Sequence, residues 1–578
     1  MASRLTTLIV VSIVAATLIA GIITRAQREE QGPVDVIVLN GKVYGGDAKT
    51  FAEAVAVRGN RIVAVGSNRE VKRLRRPQTT VIDAHGGSVL PGFNDANARF
   101  LEGGLGLTDV NLEGADTPEE LAERLRTHAG AHPDAPWVLG RGWNPSACVS
   151  HVRACQELED VVPDRPVFLR SLDGRAAWAS AAALKLARVT RATRSPRAGV
   201  IVRDAKGEPT GGLKDSAVNL VRAAVPAPDR EDKLAALRAG IQEAHRLGVT
   251  SVQTAGTPDD ISLWDELRAA DELTIRAYHA MTASQHATAG DIDKLEGVRR
   301  QHGDDPLLKT GSIEIAEDAT DPAAGSGRAL PSKNEVTTDG TRQLVALLDR
   351  RGWQVWVRAS SARGMRLALD AFQAASDANP VPATGRRHRI EHGASIGPAD
   401  LERFTRLGVI ASVQPAPAAG SNPSVAPLSP AAGDAAPRWP WISLAGARGR
   451  LAFGSNWPAS PLDPRAGLRE VAAENPAEQE EAPSLSPAAV QPVTTPVTTP
   501  VTTPVTTLPL AAAIDAYTSG AAYASFDEQR KGTLAPGKLA DIVILSADVF
   551  AAPAQHLLDA QVAVTIFDGK VVYRRAEN

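Results

Sequence analysis

Three kinds of hydrophobic pattern divide the chain. Residues 5–24 carry no charge and are rich in Leu, Ile, Val and Ala, with Arg4 before the run and Arg25 after it. A run of that length is enough for a membrane-spanning helix. A cleaved signal peptide usually has a shorter apolar core and a small-residue cleavage site, and the sites near Ala20, Gly21 and Ala26 match that pattern poorly. Residues 1–27 therefore read as a signal anchor, with a signal peptide as the alternative. Either reading makes the body exported (periplasmic or extracytoplasmic), membrane-anchored in the first case and secreted in the second.

The second pattern is β. Residues 35–39, 54–57 and 61–65 are short β-branched apolar runs separated by Asn40-Gly41 and Gly59-Asn60, both turn dipeptides. Residues 541–545, 562–567 and 571–573, with the turn Asp568-Gly569, repeat it near the other end. Two half-sandwiches at opposite ends predict one composite β domain from residues 33–88 and 530–578.

The third pattern alternates helix with buried strand: residues 230–247 then 249–254, 338–351 then 354–357, and 401–407 then 409–413, with a further strand at 451–454. That repetition predicts an α/β fold, a distorted (β/α)8 TIM barrel with insertions over residues 89–470, with 510–529 as its final helix. In such barrels chemistry sits at the C-terminal ends of the strands. Residues 492–507 read PVTT four times. Proline at every fourth position removes backbone donors, so 471–509 is predicted to be an extended loop. Residues 416–437, dense in Ala, Pro, Gly and Ser, predict another.

Composition narrows the chemistry. With 63 Lys+Arg against 66 Asp+Glu the chain lacks the basic excess of a nucleic-acid binder. Two cysteines, Cys148 and Cys155, exclude a disulfide scaffold and any Cys-only metal cluster. They could pair in an oxidising compartment or remain thiols. There is no Gly-x-Ser-x-Gly elbow, P-loop or dinucleotide fingerprint. The 11 histidines remain as the supply of nitrogen ligands.

Several motifs then fall into one order. Val89-Leu90-Pro91-Gly92-Phe93-Asn94-Asp95 follows the first meander, and Asp173-Gly174, Ala177-Trp178, Gly207-Glu208-Pro209-Thr210-Gly211 and Gly248-Val249-Thr250-Ser251 come next. Arg389-Ile390-Glu391-His392, Gln414-Pro415, Gly454-Ser455-Asn456-Trp457-Pro458, Ala516-Tyr517-Thr518 and the run from Gly532 to Ile542 complete the series. Together they resemble the amidohydrolase superfamily, in particular amidohydrolase family 3, the YtcJ-like group. The resemblance implies a metal-dependent hydrolase of non-peptide C–N bonds, with a divalent metal such as zinc as cofactor.

The positions that the resemblance would make metal ligands carry other residues. Its His-x-His pair corresponds to Asn97 and Arg99, its bridging lysine to Glu314, its next histidine to Arg358 and its final aspartate to Asn456; of these ligands only His392 remains. A histidine after Asp-Gly corresponds to Arg175. A guanidinium has no lone pair to give and repels a dication. No bound metal is therefore expected. Arg358 or Arg99 is expected to pair with Glu314. A sharper expectation is that Arg99, Arg175 and Arg358 converge on a carboxylate or phosphate.

Asp95, Asp318, Asn456 and Trp457 also sit at motif positions of the pocket; the carboxylates read as general acids or as ordinary solvated groups. His392 reads as a surviving ligand or acid–base group or as a packed strand-end residue, His279 as a residue reaching the pocket or as a satisfied core histidine, and His85 as a surface residue. Two functional classes follow: a hydrolase with a rearranged or metal-free site, or a noncatalytic binding or scaffold protein at a membrane surface. An amide-like or anionic small molecule is the expected ligand, and nucleic acid is not.

Overall fold

The structure is a computed structural model that describes residues 33–46, 50–115, 117–144, 158–171, 174–316, 338–359, 362–392, 396, 398–415, 444–445, 449–472 and 508–576. The apolar run 5–24, both cysteines, Asp318, the 416–437 loop and the PVTT repeats lie outside the described residues. Among the described residues no helix is long and apolar enough to cross a membrane.

Eight parallel strands form a nearly closed barrel. In chain order they are Phe93–Asp95, Val249–Gly256, Arg276–Ala283, Leu308–Ala316, Gln354–Arg358, Arg389–Glu391, Ile410–Val413 and Arg450–Phe453, each hydrogen-bonded to the next. The Ala96 amide donates to Phe453 O at 2.9 Å and joins the eighth strand to the first. Strand side chains alternate between faces. Ile313, Ile315, Val355, Val357, Ile390, Ala411 and Val413 belong to the large apolar cluster shared with the helices. Ser312, Glu314, Trp356, Arg358, Arg389, Glu391 and Ser412 form the alternate set, which faces the barrel interior.

Helix starts are set by local chemistry. Asp229, Thr257 and Thr288 each close a capping box with an acidic residue three positions on, opening the helices Arg230–Arg246, Pro258–Ala269 and Ala289–His302. The helix Phe100–Thr108 after the first strand lies close against Arg230–Arg246: a Cβ on Gly104 would come within 2.1 Å of Ala236 O, so the approach requires glycine.

Between those helices, strands from Val110–Asn111 to Pro209–Asp215 form a separate six-stranded sheet with its own apolar clusters, an insertion within the 89–470 span. One feature departs from the expected layout. The segment 510–529 is not one helix but two, Leu510–Ala516 and Ser519–Ala524. They part at Thr518, whose backbone is not helical and whose hydroxyl donates to Ile514 O at 2.8 Å.

At the chain ends, one six-stranded sheet runs in the order Lys570–Arg574, Val562–Phe567, Ile542–Leu545, Ser88–Pro91, Lys42–Tyr44, Phe51–Ala52, mixing both ends of the sequence. A four-stranded sheet from residues 36–83 shares one apolar cluster with it, with Val38, Val57 and Ile82 meeting Val89, Ile544 and Ile566. The turns are those the dipeptides predict: Asn40 and Asp568 have φ of 55° and 50°, Gly59 and Gly569 of 54° and 80°.

Candidate functional site

The site is built at the C-terminal ends of the barrel strands. Asp95 closes the first strand and is fully buried. Its Oδ1 accepts from the amides of Asn97 and Ser455, each at 3.0 Å, while Oδ2 has no partner. Burial pushes the carboxyl up to about 7 against those hydrogen bonds, and the Glu391 charge adds to the rise. Gly454 permits this closure: a Cβ there would lie 2.3 Å from Asn97 N and 2.8 Å from Asp95 Oδ1.

Asn97 is turned into the barrel, where its Nδ2 donates to Glu391 Oε2 at 2.5 Å. Glu391 and Arg389, both fully buried on the sixth strand, pair at 2.8 Å. Arg389 also donates to Ala96 O at 2.6 Å, to Ser412 Oγ at 2.9 Å and to Gln253 Oε1, and its guanidinium stacks 3.9 Å from the Trp356 ring centre. This network floors the mouth. Arg389 and Glu391 enter the sequence reading only within the Arg389-Ile390-Glu391-His392 motif, without a role at the site, and Gln253 does not enter it. The period-two spacing of Arg389 and Glu391 in a short strand was the available signal, since it sends both charges to one face.

Above the floor, Arg358 Nη2 lies 3.1 Å from Glu314 Oε1. Glu314 is buried, and its carboxyl is pushed up to about 7 by that burial, opposed by Arg99 and reinforced by Glu391. Arg99 is half-buried at the start of helix Phe100–Thr108 and has no ion pair within the described residues. His392 follows the sixth strand with φ 74°, donates its amide to Ser412 O at 3.0 Å, and has a buried Nε2 without a partner. Burial and the Arg99 charge push its ring down to about 4, so it is neutral near pH 7.

Asn456, with φ 56°, donates its amide to Asn97 O at 2.6 Å, and its buried Oδ1 has no partner. Trp457 packs: its ring centre is 5.6 Å from that of Phe100, and a Cβ on Gly103 would strike its indole.

Arg175 is elsewhere. It belongs to the inserted sheet, its side chain is 73% exposed, and its Nε donates to Asp215 at 3.1 Å. The expected convergence of Arg99, Arg175 and Arg358 is therefore corrected: Asp215, a neighbour within the same sheet, holds Arg175, and Glu314 holds Arg358. His279 is buried, but its Nδ1 has no partner, unlike the satisfied histidine expected. His85 is exposed at a φ 47° turn beside Asp83. Among the described residues no three His, Cys, Asp or Glu side chains are placed to hold a metal ion together.

The model of the amidohydrolase family matches residues 80–573. Protein LONG AFTER FAR-RED 3 of Arabidopsis thaliana is 27% identical, over 93% of this chain and 91% of its own length. Putative amidohydrolase YtcJ of Bacillus subtilis is 27% identical, over 91% and 96%. An N-substituted formamide deformylase of Arthrobacter pascens is 25% identical, over 94% and 98%. In three dimensions the chain matches an uncharacterized metal-dependent hydrolase from Pyrococcus furiosus with a TM-score of 0.63 at 20% identity, covering 89% of this chain and 99% of that one. A family match across most of the sequence, on an eight-stranded parallel barrel entered through Pro91-Gly92-Phe93, places this chain in the amidohydrolase family, in the family 3 branch.

Proposed function

We propose that this protein keeps the amidohydrolase barrel without the metal-dependent hydrolysis of its relatives, as a pseudoenzyme whose former ligand positions form an internal ion-pair network. A catalytic zinc is held by imidazoles and carboxylates and supplies an activated water and a polarised carbonyl. The donor set here does not fit it. Asn97 is committed to Glu391, Arg358 and Arg99 have no lone pair to offer, and His392 alone is an imidazole. The observation that carries the reading is the 3.1 Å contact between Arg358 and Glu314, which puts a fixed organic cation beside the carboxylate at the bridging position.

Elemental analysis of the purified protein, with hydrolysis assays on N-acyl and cyclic amides with and without added zinc, tests the reading. The expected result is substoichiometric metal and no zinc-dependent turnover; stoichiometric tightly bound zinc, or zinc-dependent turnover, overturns it. The quadruple variant Asn97→His, Arg99→His, Arg358→His, Asn456→Asp is expected to gain zinc binding.

A second reading, a metal-free hydrolase, is favoured by Asp95, a carboxyl at about 7 with an unpartnered oxygen, which suits proton transfer near neutrality. Zinc-independent turnover abolished in Asp95→Asn would support it. The setting we propose for either activity is the membrane surface, through residues 5–24, which extraction of the full chain with alkaline carbonate tests: retention in the membrane pellet supports the anchor.

A further inference from the structure

We infer that residues 69–76 form a docking face for an anionic lipid surface. The inference deepens the membrane setting proposed above for residues 5–24 and rests on it. The short helix Asn68–Lys72, opened by a capping box between Ser67 and Glu70, packs on the four-stranded sheet. Val71 is buried and Leu74 half-buried, in one cluster with Val34, Ile37 and Ala54. Those contacts turn the other side chains of the segment outward. Arg69, Lys72, Arg73, Arg75 and Arg76 are all exposed, and none has an ion pair among the described residues. The turn after the helix is fixed by the Leu74 amide on Val71 O at 3.0 Å, the Arg75 amide on Lys72 O at 3.2 Å and the Arg76 guanidinium on Arg75 O at 3.0 Å.

The face is positive in a chain whose net charge is −3. Residues 68–76 hold five cations and one carboxylate, Glu70, which accepts from the Ser67 amide at 2.9 Å and hydroxyl at 2.7 Å. Two more carboxylates adjoin it: Glu53 accepts from Asn68 N at 2.9 Å, and Asp83 is joined to Asn68 through Asn40 by hydrogen bonds of 2.7 and 2.8 Å. Five cations against these three carboxylates leave the excess positive. Position decides the partner. The described residues begin at Pro33; Val34 shares the cluster of Val71, and its carbonyl accepts from Thr79 Oγ1 at 2.7 Å. Residues 25–33 join this point to the apolar run, and nine residues reach at most about 30 Å. Their charges, Arg25 and Arg28 against Glu29 and Glu30, cancel. With 5–24 in a bilayer, the basic face is tethered beside the headgroups, where unpaired Lys and Arg are drawn to anionic lipid over about a Debye length. A nucleic acid would have no such tether.

The test uses the full chain in vesicles of phosphatidylcholine, with or without about a quarter phosphatidylglycerol, and a benzoylphenylalanine photocrosslinker in place of the exposed Gln78. Illumination is expected to give phosphatidylglycerol adducts at position 78, and about tenfold fewer lipid adducts in neutral vesicles or in molar salt. The triple variant Lys72→Gln, Arg73→Gln, Arg75→Gln should lose adducts by about tenfold or more while staying in the vesicles through an alkaline carbonate wash. Where that variant does not fold, the lipid and salt comparisons on the parent protein decide. No lipid adduct, equal adducts in neutral and anionic vesicles, or unaltered adducts in the triple variant overturns the inference. So does loss of the adducts to soluble duplex DNA at equal phosphate concentration, which would make the face a nucleic-acid site. Release of the full chain by alkaline carbonate would instead overturn the membrane reading beneath it, so the two failures are distinguishable.

Discussion

Asp95 and Glu314 show what burial without a dication does to a carboxyl. Both are pushed up to about 7, from ordinary values of 3.8 and 4.5. A raised acid favours the folded state while protonated, so each contributes stability that is complete below its ordinary value and lost as pH rises toward about 7. His392, pushed down to about 4, has the opposite sense and loses its contribution as pH falls from 6.5. Asp95→Asn keeps an oxygen for the Asn97 and Ser455 amides and removes the charge. Its melting temperature relative to the parent should therefore climb between pH 3.8 and about 7 and level off above; a difference flat with pH would contradict the shift. The Arg358–Glu314 pair makes a second prediction. Arg358→Met strands a buried carboxylate and should cost about 3 kcal/mol in denaturant unfolding at neutral pH, while adding Glu314→Gln should restore most of it.

Among the elements, the helix Phe100–Thr108 separates two glycines by what surrounds them. Gly104→Ala drives a methyl into the Ala236 carbonyl at 2.1 Å and should cost about 1–3 kcal/mol. Gly106→Ala meets only Arg141 Cδ at 3.7 Å and should gain up to about 1 kcal/mol from helix propensity. Equal melting temperatures for the two variants would contradict the close helix packing. The same distinction between local and distant causes decides what could be read from sequence. Asn40-Gly41, Gly59-Asn60 and Asp568-Gly569 announce their turns because positive φ is a local demand, and helix-then-strand repeats announce the barrel. The inserted sheet does not announce itself: its strands include one of two residues, Val110–Asn111, and its pairings mix parallel with antiparallel. At the site, the replaced ligand positions are legible one by one. The floor is not, because Arg389 reaches Gln253 across 136 residues of sequence, and Arg175 is claimed by Asp215, 40 positions on.

For the molecule as a whole, the question is whether barrel and end sheets are one folding unit. Arg276, at the start of the third barrel strand, is buried and reaches Asp541 at 2.6 and 2.9 Å, Asp568 at 2.6 Å and Pro306 O at 3.1 Å. It also lies 4.9 Å from the Phe567 ring centre. Below the barrel, Lys531 donates to Ser251 Oγ at 2.9 Å, and Lys309 pairs with Asp527 at 3.1 Å. The loops that precede and join the C-terminal strands thus supply the counter-charges for Arg276 and Lys309 of the barrel strands, and neither part can separate without exposing an unpaired partner. Calorimetry of the parent should accordingly show barrel and end sheets melting in a single transition. Arg276→Met leaves Asp541 buried without its cation and should cost about 3–5 kcal/mol, lowering that transition without splitting it. Two resolved transitions in the parent would show that the sheets fold apart from the barrel. An unaltered melting temperature in Arg276→Met would show that the two are held together by apolar contact alone.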